Sequence, residues 1–358
     1  MAFDLLTPQQ MIAVQQDERF AVSTSTWRQL FYRADPFFSD QGDISISEVL
    51  QHRTIAPFVL PNMAGKPIYR DDPEELRTFK PAYIKVKDEV RPQDAAEKTP
   101  AEIMRRVPLM TPQQRFDARV GKMLGTHRQA ISNTVDAMAA KALIDGQCRV
   151  VYRDDFGNIV RDITVDYRRD ASHTVVLTPG ATWTDPGVDP ILDLETWSNQ
   201  VATAKLGGNV RDIVMGVDAA QAFRRNPQVK DYLNNDFRGT ADISVNRGIV
   251  VADPLNPFIA IATLPNGVTV WQYTDVVPVA DELSNVLGPK EVLLVAPSDE
   301  NVIAYGAIYD VKAGLMPMDM FPKTWEQEDP SQMFLMTQSA PLPIIGRPNR
   351  TLKATVLA

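Results

Sequence analysis

Cysteine is almost absent from this chain, with Cys148 the only one in 358 residues. A single thiol excludes an intrachain disulfide and any zinc framework built on paired cysteines. Histidine is nearly as scarce: His52, His127 and His173 are scattered in sequence. G-x-G-x-x-G, Walker A, G-x-S-x-G, H-E-x-x-H and C-x-x-C are all missing. No apolar run approaches the roughly twenty residues needed to cross a bilayer. The opening MAFDLLTPQQMIAVQQDERF has neither a basic segment nor an unbroken apolar run, so no secretory signal is expected. These features point to a soluble protein that folds in a cytosol. A basic excess is lacking too. The net charge of −8 argues against a surface that wraps nucleic acid by neutralising phosphates, although enclosing nucleic acid needs no basic stripe. Glycine is scarcer than proline, 18 against 27, which favours pinned, extended connections over flexible linkers.

What is present suffices for one large domain or two with a substantial core, at 44% hydrophobic and 23% charged residues. The dominant feature is the proline-free interior of Thr111 to Leu143. Thr111 is a good N-cap, Pro112 suits the first helical position, and Gln114 completes a capping-box pattern. Phe116, Val120, Leu124, Ile131, Val135, Met138 and Ala142 recur in steps near three and four. They form one helical face, with Arg115, Arg119, Lys122, Arg128 and Asp136 mostly off it. Such a helix is roughly 50 Å long, a strut beside the mean globular helix of about a dozen residues.

Before the strut, residues 1–43 read as an arm with short helices at Thr7–Gln16 and Thr26–Arg33, apolar enough to need docking on its own body or on a neighbour. From Ile44 to about Arg91 the pattern is extended. A polar tip, Arg70-Asp71-Asp72-Pro73-Glu74-Glu75, precedes Phe79, Tyr83 and an Ile84/Val86 against Lys85/Lys87 alternation that predicts a strand with one polar face. Two strands joined at a charged tip make a projecting hairpin, which is marginal without a partner beneath it. After the strut, Cys148 to Tyr152 and Ile159 to Tyr167 predict a second hairpin. The Pro-rich turn Trp183–Pro190 is the best candidate boundary. Beyond it come a helix capped by Asp189, a buried strand at Asp212–Val217, a helix interrupted at Pro227, and strands to about Pro297, with a hairpin turn at Pro265-Asn266-Gly267.

The chemistry-bearing residues have simpler structural readings. Cys148 starts a strand and is favoured as a buried, inert thiol. His127 on the apolar side of the strut is favoured as a packed or interface histidine over a catalytic one. Asp185, Asp189, Asp193 and Glu195 could hold a hard cation, but helix capping and the positive end of a helix dipole account for Asp189, Asp193 and Glu195 better. No catalytic, cofactor-binding or metal-ligating residue is assigned, and no cofactor is expected.

Two stretches carry a family resemblance. One is Phe79-Lys80-Pro81-Ala82-Tyr83-Ile84-Lys85-Val86-Lys87-Asp88-Glu89-Val90-Arg91-Pro92. The other runs from Phe321-Pro322-Lys323-Thr324-Trp325 through Asp329-Pro330 to Phe334–Pro341, which ends Gln338-Ser339-Ala340-Pro341. In order and separation they resemble the E-type major capsid protein family of lambda-like tailed phages. Ala82 stands where that family usually has glycine and Asp88 where it often has histidine, which puts the local backbone geometry in doubt.

The resemblance implies an α+β chain of the Hong Kong 97-type capsid fold. Its parts would be an N-terminal arm (1–43), an E-loop hairpin (44–92), a P-domain (93–187) with spine helix 111–143, an A-domain (188–320) and a C-terminal return into the P-domain (321–358). The P-domain sheet would draw on 148–167 and 331–357. It implies a non-enzymatic major capsid protein assembling into hexamers and pentamers of an icosahedral head around packaged double-stranded DNA. Expected partners are other copies, a scaffold protein, a portal and a decoration protein, with no sequence-specific DNA binding and no membrane. Assembly would occur in the host cytoplasm. Candidate intersubunit residues on the E-loop are Arg70, Asp71, Asp72, Glu74, Glu75, Phe79, Tyr83, Lys85 and Lys87. The alternatives are an encapsulin-type compartment of the same fold, and a soluble α/β enzyme with its site in 191–297.

Overall fold

The computed structural model describes residues 7–16, 26–45, 78–91, 93, 111–154, 158–230, 244–245, 257–264, 267–279, 282–329 and 331–358. Helix α1 (Pro8–Gln16) opens on its own capping box, with Thr7 Oγ1 accepting from Gln10 N and Gln10 Oε1 accepting from Thr7 N. Helix α2 (Thr26–Phe31) carries Trp27 and Phe31 into the core. The short strands β1 (Phe37–Phe38), β2 (Ile44–Ser45) and β3 (Thr78–Phe79) follow, with β2 and β3 antiparallel, Ile44 opposite Phe79. Strand β4 is Ile84–Val90.

The strut is α3, Pro112–Asp145, 34 residues long. Its first turn is closed as its sequence dictates. Thr111 Oγ1 accepts from Gln114 N at 3.3 Å, and Gln114 Oε1 accepts from Thr111 N at 2.9 Å. It ends at Gly146, which adopts φ +67°, a left-handed conformation that costs glycine little. Arg169 Nη1 donates to the carbonyls of Leu143 (3.2 Å) and Ile144 (2.9 Å), satisfying acceptors that the last turn of the helix leaves open. All seven residues of the expected apolar face are buried except the half-buried Met138.

Strands β5 (Gln147–Arg153) and β6 (Ile159–Asp166) form the expected hairpin, Cys148 opposite Val165. Next come β7 (Thr174–Val176), α4 (Pro190–Thr203), β8 (Asp212–Met215), α5 (Val217–Arg225), β9 (Ser244–Val245), β10 (Phe258–Thr263) and β11 (Thr269–Tyr273). Strands β12 (Val276–Val279) and β13 (Glu282–Asn285) pair with each other. The chain continues through β14 (Glu291–Val295), β15 (Val302–Tyr305), β16 (Phe321–Gln327), β17 (Gln332–Ser339), β18 (Pro341–Ile344) and β19 (Thr351–Thr355).

A mixed seven-stranded sheet, ordered β7-β19-β14-β8-β11-β10-β9, separates two cores. Alternation along its strands assigns each side chain to one of them. Ile213, Met215, Val292 and Leu294 face α4 and α5, joining Trp183, Leu194, Trp197 and Phe223. Val214, Leu293 and Val295 face the other way, joining α2 and the second half of α3 (Ile131, Val135, Leu143). Burial on both faces explains why these strands are nearly continuous apolar runs. Strand β15 pairs with β18 and, in parallel, with β1, adding a small sheet to this main core.

Beyond the main core α3 runs on under a separate antiparallel sheet, β16-β17-β4. There Phe116, Val120 and Leu124 meet Met11, Val90, Met333 and Leu335 in a third, much smaller cluster.

Several placements differ from the sequence-based expectation. Strand β4 was expected as the return strand of a free hairpin. It is instead an edge strand of a body sheet, paired along its length with β17, Lys87 opposite Met336. The C-terminal return is split three ways: β17 goes to this sheet, β18 to β15, and β19 into the seven-stranded sheet. The hairpin β5–β6 stays a two-stranded unit of its own. Trp183, in the turn expected to be a boundary, lies inside a core, stacked on Trp197 at 6.2 Å between ring centroids. A proline-rich turn reads as a linker when its one large apolar residue is overlooked.

Candidate assembly surface

The two stretches that carry the family resemblance, 79–90 and 321–341, converge on Tyr83. Its backbone N donates to Tyr152 Oη at 3.1 Å. Its hydroxyl donates to Gln338 Oε1 at 2.7 Å and accepts from Tyr309 N at 3.1 Å. The Tyr83 and Tyr309 rings stack at 6.0 Å. Partial burial pushes the Tyr83 phenol above its ordinary value, so it stays a neutral donor.

Gln338 hands the network on, donating to Asp310 Oδ2 at 2.8 Å. The same carboxylate oxygen takes an ion pair from Lys323, and Oδ1 accepts from Lys312 N at 3.0 Å. Burial alone would raise the Asp310 carboxyl. The bonds from Lys323, Gln338 and Lys312 outweigh it and hold the group below the usual carboxylate range. A loop, 306–317, is thereby pinned to the sheet by a charged residue whose side chain is only 8% exposed. Gly42 closes over it from the arm: a Cβ there would fall 1.7 Å from the Tyr309 hydroxyl oxygen, so only glycine fits without rearrangement.

The outer face of the β16-β17-β4 sheet carries cations over aromatic rings. Lys87 Nζ is 3.9 Å from the Phe334 ring centroid and 5.5 Å from that of Trp325, while Lys85 Nζ is 5.2 Å from that of Tyr83. Trp325 and Phe334 stack at 5.3 Å.

The inner face of this sheet is latched to α3 by His127, which is fully buried. Its Nδ1 is 3.0 Å from Thr337 Oγ1 and its Nε2 is 2.9 Å from Asp88 Oδ2. Both ring nitrogens are therefore occupied by structural partners. Asp88, the departure from the family pattern, is what this histidine binds. Ala82, the other departure, is buried and gives its N–H to Pro341 O at 3.0 Å, within ordinary backbone geometry.

Of the nine candidate contact residues, Phe79, Tyr83, Lys85 and Lys87 lie among the described residues. Tyr83 joins the Asp310 network, Lys85 and Lys87 present exposed side chains, and Phe79 is half-buried beside the main core. Arg70, Asp71, Asp72, Glu74 and Glu75 lie outside the described residues. Sequence reasoning singled out the stretch that holds Gln338 but missed Tyr309 and Asp310, because a network spanning 255 positions leaves no local pattern.

The residues weighed for chemistry have structural duties. Burial pushes the Cys148 thiol up to about 12, far from the thiolate that nucleophilic attack requires. Asp185 Oδ2 accepts from Thr182 N and Oγ1, Asp189 caps Ile191 N, and Asp193 accepts from Trp183 Nε1. Burial raises the Asp193 carboxyl, the reverse of what a cation ligand needs. Among the described residues no three His, Cys, Asp or Glu side chains converge.

The whole arrangement is similar in fold to solved structures of phage-related proteins. The putative capsid protein of a prophage of E. coli CFT073 matches with a TM-score of 0.68 at 18% identity over 99% of both chains. A phage-related protein of Bordetella bronchiseptica RB50 matches with a TM-score of 0.51 at 15% identity, over 99% of this chain and 98% of the other. The fold is the α+β, Hong Kong 97-type capsid fold.

Sequence comparison narrows the class to one family. The chain is 24% identical over 350 residues to the major capsid protein of Escherichia phage N15, covering 96% of both. It is 23% identical over 352 residues to that of Escherichia phage lambda, covering 96% of this chain and 97% of the relative. The family model for phage major capsid protein E matches residues 25–356, and the chain belongs to that family. It is a structural component of a phage capsid.

Proposed function

We propose that the chain assembles into hexamers and pentamers of an icosahedral head that encloses packaged double-stranded DNA. The observation that carries this reading is the family match over residues 25–356, from the arm to the last strand. Closed shells need heterologous contacts whose rotations close, and a wide hairpin laid across a neighbour supplies such a contact at little mass. The nine E-loop residues, led by the acidic tip and the exposed Lys85 and Lys87, form the proposed intersubunit contact. A scaffold protein guides assembly in the host cytoplasm, a portal occupies one vertex, and a decoration protein secures the expanded shell. The negative net charge suits a container, because a lining that gripped DNA would impede its packaging and ejection. The chain acts without catalysis or cofactor.

Electron microscopy of the expressed protein should show closed particles, and a stable small monomer in sedimentation would overturn the proposal. Deleting residues 70–75 should leave a folded subunit that no longer yields normal particles. An unchanged particle yield would remove the E-loop tip from the contact.

A further inference from the structure

Tyr309 is a large side chain whose place burial does not explain. It is 61% exposed, so little of its area is removed from water. Yet three constraints converge on it. Its ring stacks on Tyr83, its N–H donates to the Tyr83 hydroxyl, and Gly42 presses so close to its own hydroxyl that a Cβ would have no room. Gly42 is not among the residues with positive φ, so close approach, and not a left-handed turn, demands a glycine there. A second close approach lies on the same loop. A Cβ on Gly306 would fall 2.7 Å from Pro81 Cγ, again at a position without positive φ.

The two glycine contacts grip the two strands of one neck. Strands β2 and β3 pair antiparallel, Ile44 opposite Phe79, so the segment between them starts and ends at one place. On the outgoing side Ser39 N donates to Tyr305 O at 2.9 Å, Gly42 meets Tyr309, and Ile44 is fully buried in the main core. On the returning side Pro81 meets Gly306, Ala82 N donates to Pro341 O, and Tyr83 closes on Gln338, Tyr152 and Tyr309. The stretch 305–309 therefore touches both strands, with the Tyr309 side chain held between Gly42 and Tyr83. Asp310, the next residue, fixes that stretch to the sheet through Lys323 and Gln338.

We propose that Tyr309 is a positioning residue for assembly, a peg between the two strands of this neck that sets the angle at which residues 46–77 are presented. The proposal rests on the shell reading above and locates part of its control inside a single chain, away from any contact between copies. The neck needs such a device. Its ladder consists of the Ile44–Phe79 and Ser45–Thr78 pairs, and a two-stranded ladder this short cannot hold a direction unaided. Closure of a shell repeats one geometry at every equivalent contact, so an angular error at the neck recurs in each subunit.

The test uses the full chain carrying Tyr309→Ala, Tyr83→Phe or Gly42→Ala. In free subunits Tyr83→Phe should speed hydrogen exchange of the Tyr309 amide at least about fivefold, the factor for one lost hydrogen bond. Tyr309→Ala should do the same at Ile44–Ser45 and Thr78–Phe79, while its melting temperature stays within about 3 °C because the ring is mostly exposed. Each variant should raise the concentration needed for closed particles about tenfold or more. In the Tyr309→Ala background, Gly42→Ala should add less than about twofold, since its effect passes through the ring. Unchanged exchange at the neck, an unchanged assembly threshold, a large fall in melting temperature, or a full further increase from Gly42→Ala in the double variant would each overturn the proposal. Failure of the unaltered chain to form particles would overturn the shell reading instead, and exchange in the free subunit would still decide whether Tyr309 holds the neck.

Discussion

The two halves of α3 live in different surroundings. From Ile131 to Ile144 the helix is embedded in the main core, against α2, the seven-stranded sheet and the β15–β18 pair. Tyr32 Oη donates to Ala139 O at 2.9 Å, and an Arg28–Asp136 ion pair ties α2 to the same stretch. From Phe116 to Leu124 the helix meets, among the described residues, a thin cluster supplied by α1, β4 and β17. His127 sits at the junction. Among the described residues the helix is thus anchored more heavily at one end than at the other, and the lighter end carries the β16-β17-β4 sheet. Helix propensity cannot make this distinction, since packing supplies most helical stability in proteins.

The most damaging way to break the comparison is to interrupt the helix between its halves. Gln129→Pro removes a backbone hydrogen bond and inserts a ring clash, at about 3 kcal/mol or more. Particle formation should cease and the melting temperature should fall. Normal particles from this variant would show that the strut need not be continuous.

A sharper test compares cavities. Leu143→Ala in the main core should lose about 4–5 kcal/mol of unfolding free energy, and Leu124→Ala in the thin cluster about 2–3 kcal/mol, the two ends of the range for buried leucines. Denaturant titration of both variants measures the gap. Equal losses would mean that the smaller cluster is packed as stiffly as the larger.

A smaller effect is expected at the junction. His127→Ala leaves the buried Thr337 hydroxyl without its partner, a loss of about 1–3 kcal/mol. Hydrogen exchange should quicken in 112–127 and stay nearly unchanged in 131–144. Uniform acceleration along the helix would deny the histidine its latch role.

The mildest perturbation is pH. Burial raises the Cys148 thiol to about 12 from an ordinary value of 9.0. Because the folded value is the higher, the stability held by the neutral thiol is fully present below about pH 9 and is lost as pH rises toward 12. Between pH 6 and 8 the thiol should resist alkylation in the folded chain. Rapid reaction there would show that the main core opens as readily as the thin one.

Much of this was legible in the sequence because it is local. The limits of α3 follow from Thr111, Gln114 and Gly146, residues whose roles depend only on near neighbours. The burial of Cys148, the cap of Asp189, and the hairpin after the strut were legible for the same reason. Strand partnership was not. Strand β4 and its neighbour β17 are separated by more than 240 positions, and a polar/apolar alternation states which face is buried without stating against what. The family resemblance correctly fixed the fold class, yet left open how the C-terminal return divides among three sheets. The contact network at Tyr83 was hidden for the same reason: Tyr309 and Asp310 carry no periodic signal, and only tertiary structure brings them to the stretch that had been singled out.

Strand β19 has one further consequence. It lies inside the seven-stranded sheet between β14 and β7, neither of which touches the other. During synthesis, everything before residue 351 can emerge and still leave that sheet with a gap and two raw edges. Until residues 351–355 are in place, β14 keeps an unpaired edge and β7 has no partner in the sheet.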